Sequence, residues 1–274
     1  MKLAIIIACH NRKLLTINSI ELCFLFSKNL FNVSLFVVDD CSSDGTYEVL
    51  SDKFSSNKFF LYQLDGNQYW TRSMAYGFDK AFNIGFDGYL WLNDDVSLLP
   101  DCFELLLDTI KYFNSKNKDP ILVGNTIDLN CSKISYGGYL KVGSNGINIK
   151  LNENLDFPVL CDTFCGNFVY ISHINASLIG NLDKCFKHTM GDIDYGFRAR
   201  KLNVDIFTIP KIIGYCSNNP LLDISSLNIY QRLKFKLNIK NLPFSSWFIL
   251  NYRYGGIFFI IYFLFPYIKV LFQR

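Results

Sequence analysis

Up to Asp95 the chain alternates four short apolar runs with three helix-like stretches, and two of the runs end in paired aspartates. Residues 3–8, 33–38, 59–64 and 88–92 are rich in β-branched and other apolar side chains and close on polar clusters, the signature of buried strands. Residues 14–27, 46–54 and 72–82 read as helices between them, the second starting near Thr46 after the Asp44-Gly45 loop. Parallel neighbours need a crossover connection, so this β-α-β-α-β-α-β order predicts an α/β fold, Rossmann-like, with a mixed, mostly parallel sheet flanked by helices. Ligands of such sheets bind beyond the carboxyl ends of the strands. Asp39-Asp40 and Asp94-Asp95 stand at two of those ends. Residues 120–169 are rich in Gly, Asn and short strand-like pieces and predict an antiparallel extension with turns at Gly137-Gly138 and Ser144-Asn145-Gly146. A helix over 192–202 and a strand over 204–209 follow.

Half of the 274 residues are hydrophobic and 16% are aromatic, which excludes a disordered chain and allows one large domain with an appendage. Nine cysteines are scattered from Cys9 to Cys216 without zinc spacing or the density of a disulfide scaffold, and they fit reduced, buried thiols in a cytosolic protein. The apolar run before His10 is too short for the h-region of a signal peptide. The net charge of +3 conceals a division: residues 224–274 hold seven basic residues and no acid, which leaves 20 basic against 24 acidic residues in the rest. Such a tail faces something anionic.

Three acidic stations could carry chemistry. Asn93-Asp94-Asp95 ends a strand of bulky residues, and carboxylate oxygens there suit a magnesium or manganese ion held against a diphosphate, although an isolated pair also reads as loop acids capping the next helix. Phe36-Val37-Val38-Asp39-Asp40-Cys41-Ser42-Ser43-Asp44-Gly45-Thr46 can point a carboxylate at the ring N–H of a pyrimidine. In Gly191-Asp192-Ile193-Asp194-Tyr195-Gly196-Phe197-Arg198, Asp192 can cap a helix or accept a proton from a sugar hydroxyl, while Asp194 and Arg198 can pair at i,i+4.

In this order and spacing the three stations resemble the family 2 glycosyltransferases, inverting enzymes with the GT-A fold, over roughly residues 3–216. The resemblance implies that His10 and Asn11 lie beside the nucleotide and that Asp40 contacts the base with Asp39 supporting it. It makes Asp95 the ligand of a Mn2+ or Mg2+ ion at the D-x-D position, whose first acid is Asn93 here, and leaves Asp94 as the second carboxylate. Asp192 matches the catalytic base of the E-D motif, with Gly191 in place of Glu. G-D-x-D-Y followed by an Arg-rich helix is similar to a subgroup of bacterial cell-surface polysaccharide glycosyltransferases, acting in pathways such as O-antigen or capsule assembly. Gly66-Asn67-Gln68-Tyr69-Trp70-Thr71-Arg72 resembles that subgroup's loop near the donor sugar, which brings Trp70 and Arg72 to the donor or acceptor; Trp70 reads equally as a core aromatic. His188, four residues before Asp192, is the further histidine placed to contact donor or acceptor. Cys216 stands where many GT-A enzymes add a metal-binding His, and as a soft ligand it is left outside the metal site. The implied reaction moves a sugar from a UDP- or dTDP-sugar donor to a hydroxyl of a saccharide or lipid-linked saccharide, with inversion.

Residues 255–268 carry no charge, are interrupted by Pro266 and are flanked by Arg253 and Lys269. A spanning helix needs about 20 apolar residues, so this shorter run predicts an element lying on the cytoplasmic face of the inner membrane, with residues 230–274 as the contact, Trp247, Tyr252, Tyr254 and Tyr262 at the headgroups and Arg232 to Lys240 attracting anionic lipid. Packing on the catalytic domain or on the second subunit of a homodimer is the alternative. The expected division is a catalytic domain over 1–220, with a nucleotide half at 1–98 and an acceptor half at 99–220, followed by helices over 221–274. A nucleotidyltransferase would carry a Gly-rich phosphate loop after the first strand, and His10-Asn11-Arg12-Lys13 has no glycine; a non-catalytic scaffold of the same fold would show no turnover. Nucleic acid is not expected as a partner, because the tail's charges sit among aliphatic runs.

Overall fold

The computed structural model describes residues 1–143, 147–218 and 227–272. Strand β1 (Lys2–Cys9) is followed by α1 (Lys13–Phe26), β2 (Asn32–Asp39), α2 (Thr46–Lys53), β3 (Phe59–Gln63), α3 (Tyr69–Ile84) and β4 (Gly88–Asn93). Next come β5 (Ser97–Leu98), α4 (Cys102–Asn114), β6 (Ile121–Asp128), β7 (Lys133–Tyr136), β8 (Gly138–Lys141) and β9 (Ile149–Leu151). They lead to β10 (Leu160–Cys161), β11 (Thr163–Phe164), β12 (Phe168–Ser172), α5 (His173–Ile179), α6 (Gly191–Lys201) and β13 (Ile206–Tyr215). Helices α7 (Ile229–Lys236), α8 (Phe244–Tyr254) and α9 (Phe259–Phe272) follow, the last two joined by a 3-10 turn at Gly256–Phe258.

Among the described residues one sheet runs in the order β10-β13-β6-β12-β4-β1-β2-β3, with β5 and β7 attached at its side, and β11-β8-β9 form a second, small sheet. Strand β1 is parallel to both neighbours, Ala8 pairing with Val38 on one side and Asn93 on the other. The chain leaves β1 toward β2 and β3 and returns at β4 on the opposite side, so the crevice of this open sheet lies between the carboxyl ends of β1 and β4. Strand period assigns the two faces. Ile5 and Ile7 join Leu35, Val37, Leu90 and Leu92 in one buried layer under α1 and α4, and Ala4 and Ile6 join Phe36, Tyr89 and Trp91 in the other under α3 and α6.

Three elements depart from the sequence reading. Helix α3 begins at Tyr69, three residues before the expected start, because a carboxylate from the loop after β2 caps it, as described below. Helix α4 is absent from that reading, although Cys102, Phe103, Leu106, Ile110 and Phe113 form the buried stripe of an amphipathic helix. Strand β13 continues past Pro210 to Tyr215, because register shifts between Thr208 and Gly214 and a positive φ at Lys211 absorb the proline in an irregular ladder. The Gly137-Gly138 turn joins β7 to β8, whereas the Ser144-Asn145-Gly146 turn, Arg274 and the 220/221 division lie outside the described residues. The nine cysteines are free, five of them buried.

The C-terminal helices are fastened to the helix that carries Asp192. Leu250 of α8 is buried against Phe186, Met190 and Phe197. The guanidinium of Arg253 donates to Asp194 at 2.8 Å and to Asp183 at 2.7 Å. The Tyr254 hydroxyl donates to Asp194 at 2.9 Å, and the Trp247 indole N–H donates to the Phe263 carbonyl at 3.1 Å. The polar atoms of Trp247 and Tyr254, two of the residues expected at lipid headgroups, are thus hydrogen-bonded within the protein. No helix among the described residues is long and apolar enough to cross a membrane. The outer surface of the 3-10 turn and α9 is apolar: Ile257 is 89% exposed, and Phe258, Ile261, Phe265 and Ile268 are exposed beside it.

Candidate active site

The loops after β1 and β2 interlock. His10 donates from Nδ1 to the Asp40 carbonyl at 2.7 Å, and its Nε2 accepts from Asn11 Nδ2 at 3.0 Å, a pairing that fits one neutral tautomer. Asn11, at φ 54, donates its backbone N–H to Ser42 Oγ and accepts from the Ser43 N–H at 2.7 Å. Asp39 is fully buried and accepts from the Ser42 N–H and hydroxyl, which fixes that turn. Asp40 is also buried, and its two oxygens accept from the N–H groups of Gly66, Gln68 and Tyr69 at 2.9, 3.0 and 2.6 Å. It thus satisfies orphan donors ahead of and at the start of α3, where a carboxylate also meets the positive end of the helix dipole. The residue expected to meet the base already holds the Gly66–Tyr69 loop.

The end of β4 faces the end of β1. The Asn93 side chain accepts from the Trp70 indole N–H at 2.6 Å and donates to Asn167 at 3.1 Å, so the amide in the first D-x-D position joins two segments of the site. One nitrogen of Arg12, Nη1, reaches Asp94 at 2.9 Å and Asp95 at 2.7 Å. Asp94 is buried, which pushes its carboxyl up to about 6 against the pull of Arg12, so it is still ionised at neutral pH. Its second oxygen accepts from the Thr16 hydroxyl at 3.3 Å. The other oxygen of Asp95 accepts from the Cys216 thiol at 3.6 Å.

These residues do not fit a hard divalent cation as they stand. Such an ion needs several free oxygens, yet Arg12 occupies the space shared by the two carboxylates, Thr16 and Cys216 take their remaining oxygens, and no cluster of three or more His, Cys, Asp or Glu that could hold a metal occurs among the described residues. The metal expected on Asp95 meets a carboxylate pair that already shares one guanidinium, which offsets one of its two charges.

Asp192 opens α6. Its Oδ2 accepts from the Gly166 N–H and its Oδ1 from the Ile193 N–H, both at 2.9 Å. Burial raises its pKa above the ordinary carboxylate value while those two N–H groups and the Cys165 thiol pull the other way. The glycines here are dictated by space. A Cβ on Gly166 would lie 2.4 Å from the Trp70 ring, with the Asp192 Cβ 3.5 Å away, and a Cβ on Gly191 would lie 2.3 Å from Thr71 Cγ2. The second clash is a local reason for Gly at the position where the resemblance expects Glu.

A cavity of about 250 Å³ opens at the crevice between β1 and β4, lined by Ala8, Cys9, His10, Arg12, Asp40, Gly66, Tyr69, Trp70, Ser73, Asp94, His188 and Lys240. His10, Asp40, Asp94, Trp70 and His188 are thus brought together. Asn11 and Asp39 are not in the lining and brace its loops through Ser42, Asp95 joins through Arg12, and Asp192 through Gly166 and Trp70. Arg72 is not in the lining; its Nε donates to the Lys184 carbonyl at 2.8 Å. His188 accepts from the Trp70 N–H at 3.4 Å, and burial, then Lys240 and Arg12, push its pKa down to about 4, so it is neutral at physiological pH. Sequence reasoning missed Arg12 and Lys240 as cavity residues. For Arg12 the available signal was a basic residue just after the first strand; for Lys240 there was none.

Residues 4–131 match the family model described as glycosyl transferase family 2. No curated protein matches the sequence. Among solved structures, S. aureus TarS 1-349 is similar at 12% identity and TM-score 0.58, over 92% of this chain and 70% of that one. The same fragment in complex with UDP-GlcNAc is similar to the same degree, over 92% and 71%. The longer TarS structure is covered over only 42% of its length. The mannosyltransferase PcManGT from Pyrobaculum calidifontis, in complex with GDP-Man and Mn2+, is similar at 11% identity and TM-score 0.57, over 93% and 65%. The chain thus shares the GT-A fold with these structures, and residues 4–131 are similar to glycosyl transferase family 2.

Proposed function

We propose that the chain is an inverting glycosyltransferase that moves a sugar from a nucleotide diphosphate to a hydroxyl of a saccharide acceptor, free or lipid-linked, in cell-surface polysaccharide synthesis. The observation that carries this reading is Asp192: a half-buried carboxylate of raised pKa, held by two backbone N–H groups and separated by Gly166 from the Trp70 wall of the cavity. A carboxylate with an elevated pKa is a competent general base. In this scheme Asp192 takes the proton of the acceptor hydroxyl as the oxygen attacks the anomeric carbon, the bond to the diphosphate breaks on the opposite face, and configuration inverts. Asp40 acts by fixing the Gly66–Tyr69 loop on which the base rests, and Trp70 packs beside the sugar. A Mn2+ or Mg2+ ion, as in the PcManGT complex, would have to displace Arg12 from Asp94 and Asp95, so no step is assigned to it.

The apolar face of α9 suits a position on the cytoplasmic membrane surface, where enzyme and a lipid-linked acceptor would meet in two dimensions; exposed Ile257, Ile261 and Phe265 support this reading over a buried one. Ile261→Asp is then expected to abolish flotation with anionic vesicles, and unchanged flotation, or a stable dimer through this face, contradicts it.

Transfer is tested with UDP-, dTDP- and GDP-sugars and simple saccharide acceptors, also scoring slow donor hydrolysis. Asp192→Asn should retain donor affinity and lose transfer by about 10²–10⁴-fold, the usual worth of a general base. Wild-type turnover with none of the donors, or full activity in Asp192→Asn, contradicts the assignment.

A further inference from the structure

We propose that Arg12 and Lys240 together form the cationic cradle for the donor's diphosphate, so that the C-terminal segment completes the donor site and nucleotide binding needs no divalent cation. This rests on the donor-site reading above. A nucleoside diphosphate brings negative charge into a cavity that already contains Asp40 and Asp94, so cations must compensate it. Two side chains with full positive charge line the cavity, and they come from opposite ends of the chain.

Arg12 is positioned but not exhausted. Nη1 alone makes both ion pairs to Asp94 and Asp95, the side chain is 41% exposed, and among the described residues no hydrogen bond is made by Nε or Nη2. A guanidinium pinned by two carboxylates on one nitrogen presents the rest of its fork to an incoming phosphate, a geometry Arg matches with two parallel donors. The carboxylates that would bind a metal thereby hold its substitute.

Lys240 lies in the turn between α7 and α8, and no carboxylate among the described residues pairs with it. The turn is braced at both sides. The Lys240 N–H donates to Asn238 Oδ1 at 3.0 Å, the Thr189 hydroxyl donates to the Ile239 carbonyl at 3.4 Å, and Asn241 Nδ2 donates to the Phe235 carbonyl at 2.8 Å. Helix α8 beyond it is tied to Asp183 and Asp194 by Arg253. His188 lines the same cavity, and after burial the charges of Lys240 and then Arg12 push its pKa down, as their positions at this cavity require. Lys240 therefore belongs to the donor site, not to the lipid-attracting stretch to which its neighbours assign it in the sequence.

The test measures binding of UDP, dTDP and GDP, and of the corresponding nucleosides, to the full chain by calorimetry, once with EDTA and once with manganese. Wild type is expected to bind one of the diphosphates equally in both buffers. Loss of one charged hydrogen-bonding partner corresponds to about ten- to hundredfold in Kd, so Lys240→Ala should weaken the diphosphate by about that factor while leaving the nucleoside unchanged. Lys234→Ala, in the same basic stretch but outside the cavity, should bind as wild type, and Arg12→Lys should weaken the diphosphate less than Arg12→Ala. Unaltered diphosphate affinity in Lys240→Ala, or wild-type binding that appears only with manganese, overturns the cradle and leaves the donor site standing. A wild type that binds no nucleoside diphosphate in either buffer overturns both.

Discussion

Arg253→Ala would remove the clamp between the C-terminal helices and the helix that bears Asp192. The side chain bridges Asp194, which has no solvent exposure, and Asp183, through two different nitrogens at 2.8 and 2.7 Å. Breaking a buried ion pair from one side costs about 3–5 kcal/mol, because the abandoned charge has no water to turn to. Two features lower that figure. Asp194 keeps Arg198 at 2.9 Å and the Tyr254 hydroxyl, and Arg253 is itself 32% exposed. We expect a loss of about 2–3 kcal/mol, between an exposed pair and a fully buried one. At about 2–4 °C per kcal/mol for a chain of this size, the melting temperature should fall by about 4–12 °C. Urea unfolding followed by tryptophan emission is the assay, since Trp247 lies on α8 and Trp91 in the sheet core. Arg253→Lys should lie between wild type and Ala, because one ammonium cannot span both aspartates as the guanidinium fork does. A loss below about 1 kcal/mol, the range of exposed pairs, would show that the C-terminal helices are not welded to α6 and would remove the mechanical basis for placing Lys240 at the cavity.

Two further predictions concern the site itself. Asp192 must be ionised to accept a proton, and its pKa is raised by burial; activity should therefore fall as pH drops through a value above the ordinary carboxylate range, and a kcat/KM profile flat down to pH 4 contradicts this. Gly166→Ala places a methyl within 2.4 Å of the Trp70 ring, where overpacking typically costs about 1–3 kcal/mol; it should lower both the unfolding midpoint and transfer, and a variant of wild-type stability and activity would show that Trp70 yields freely.

The parallel half of the fold was legible because it is local. Short apolar runs at 3–8, 33–38 and 88–92 mark buried strands, and the polar clusters after them mark the ligand-binding ends. The acidic stations followed from the same logic. Contacts that no local pattern encodes were not legible. Arg12 meets Asp94 and Asp95 only because β1 and β4 pair with Ala8 opposite Asn93, and Lys240 reaches the cavity from the far end of the chain. Asp40 was read as a base contact, while the fold also uses it to start α3 early. Residues 99–119 are the opposite case, since the stripe of α4 is written in the sequence at Cys102, Phe103, Leu106, Ile110 and Phe113.

The most direct measurement is a crystal structure of the full chain with an intact, non-hydrolysable UDP- or GDP-sugar. The expected density places the base against the Gly66–Tyr69 loop, the diphosphate between Arg12 and Lys240, and the anomeric carbon on the side facing Asp192. A nucleotide bound away from the β1/β4 crevice, or an anomeric carbon with Asp192 out of reach of an attacking hydroxyl, would contradict the donor-site assignment at its root.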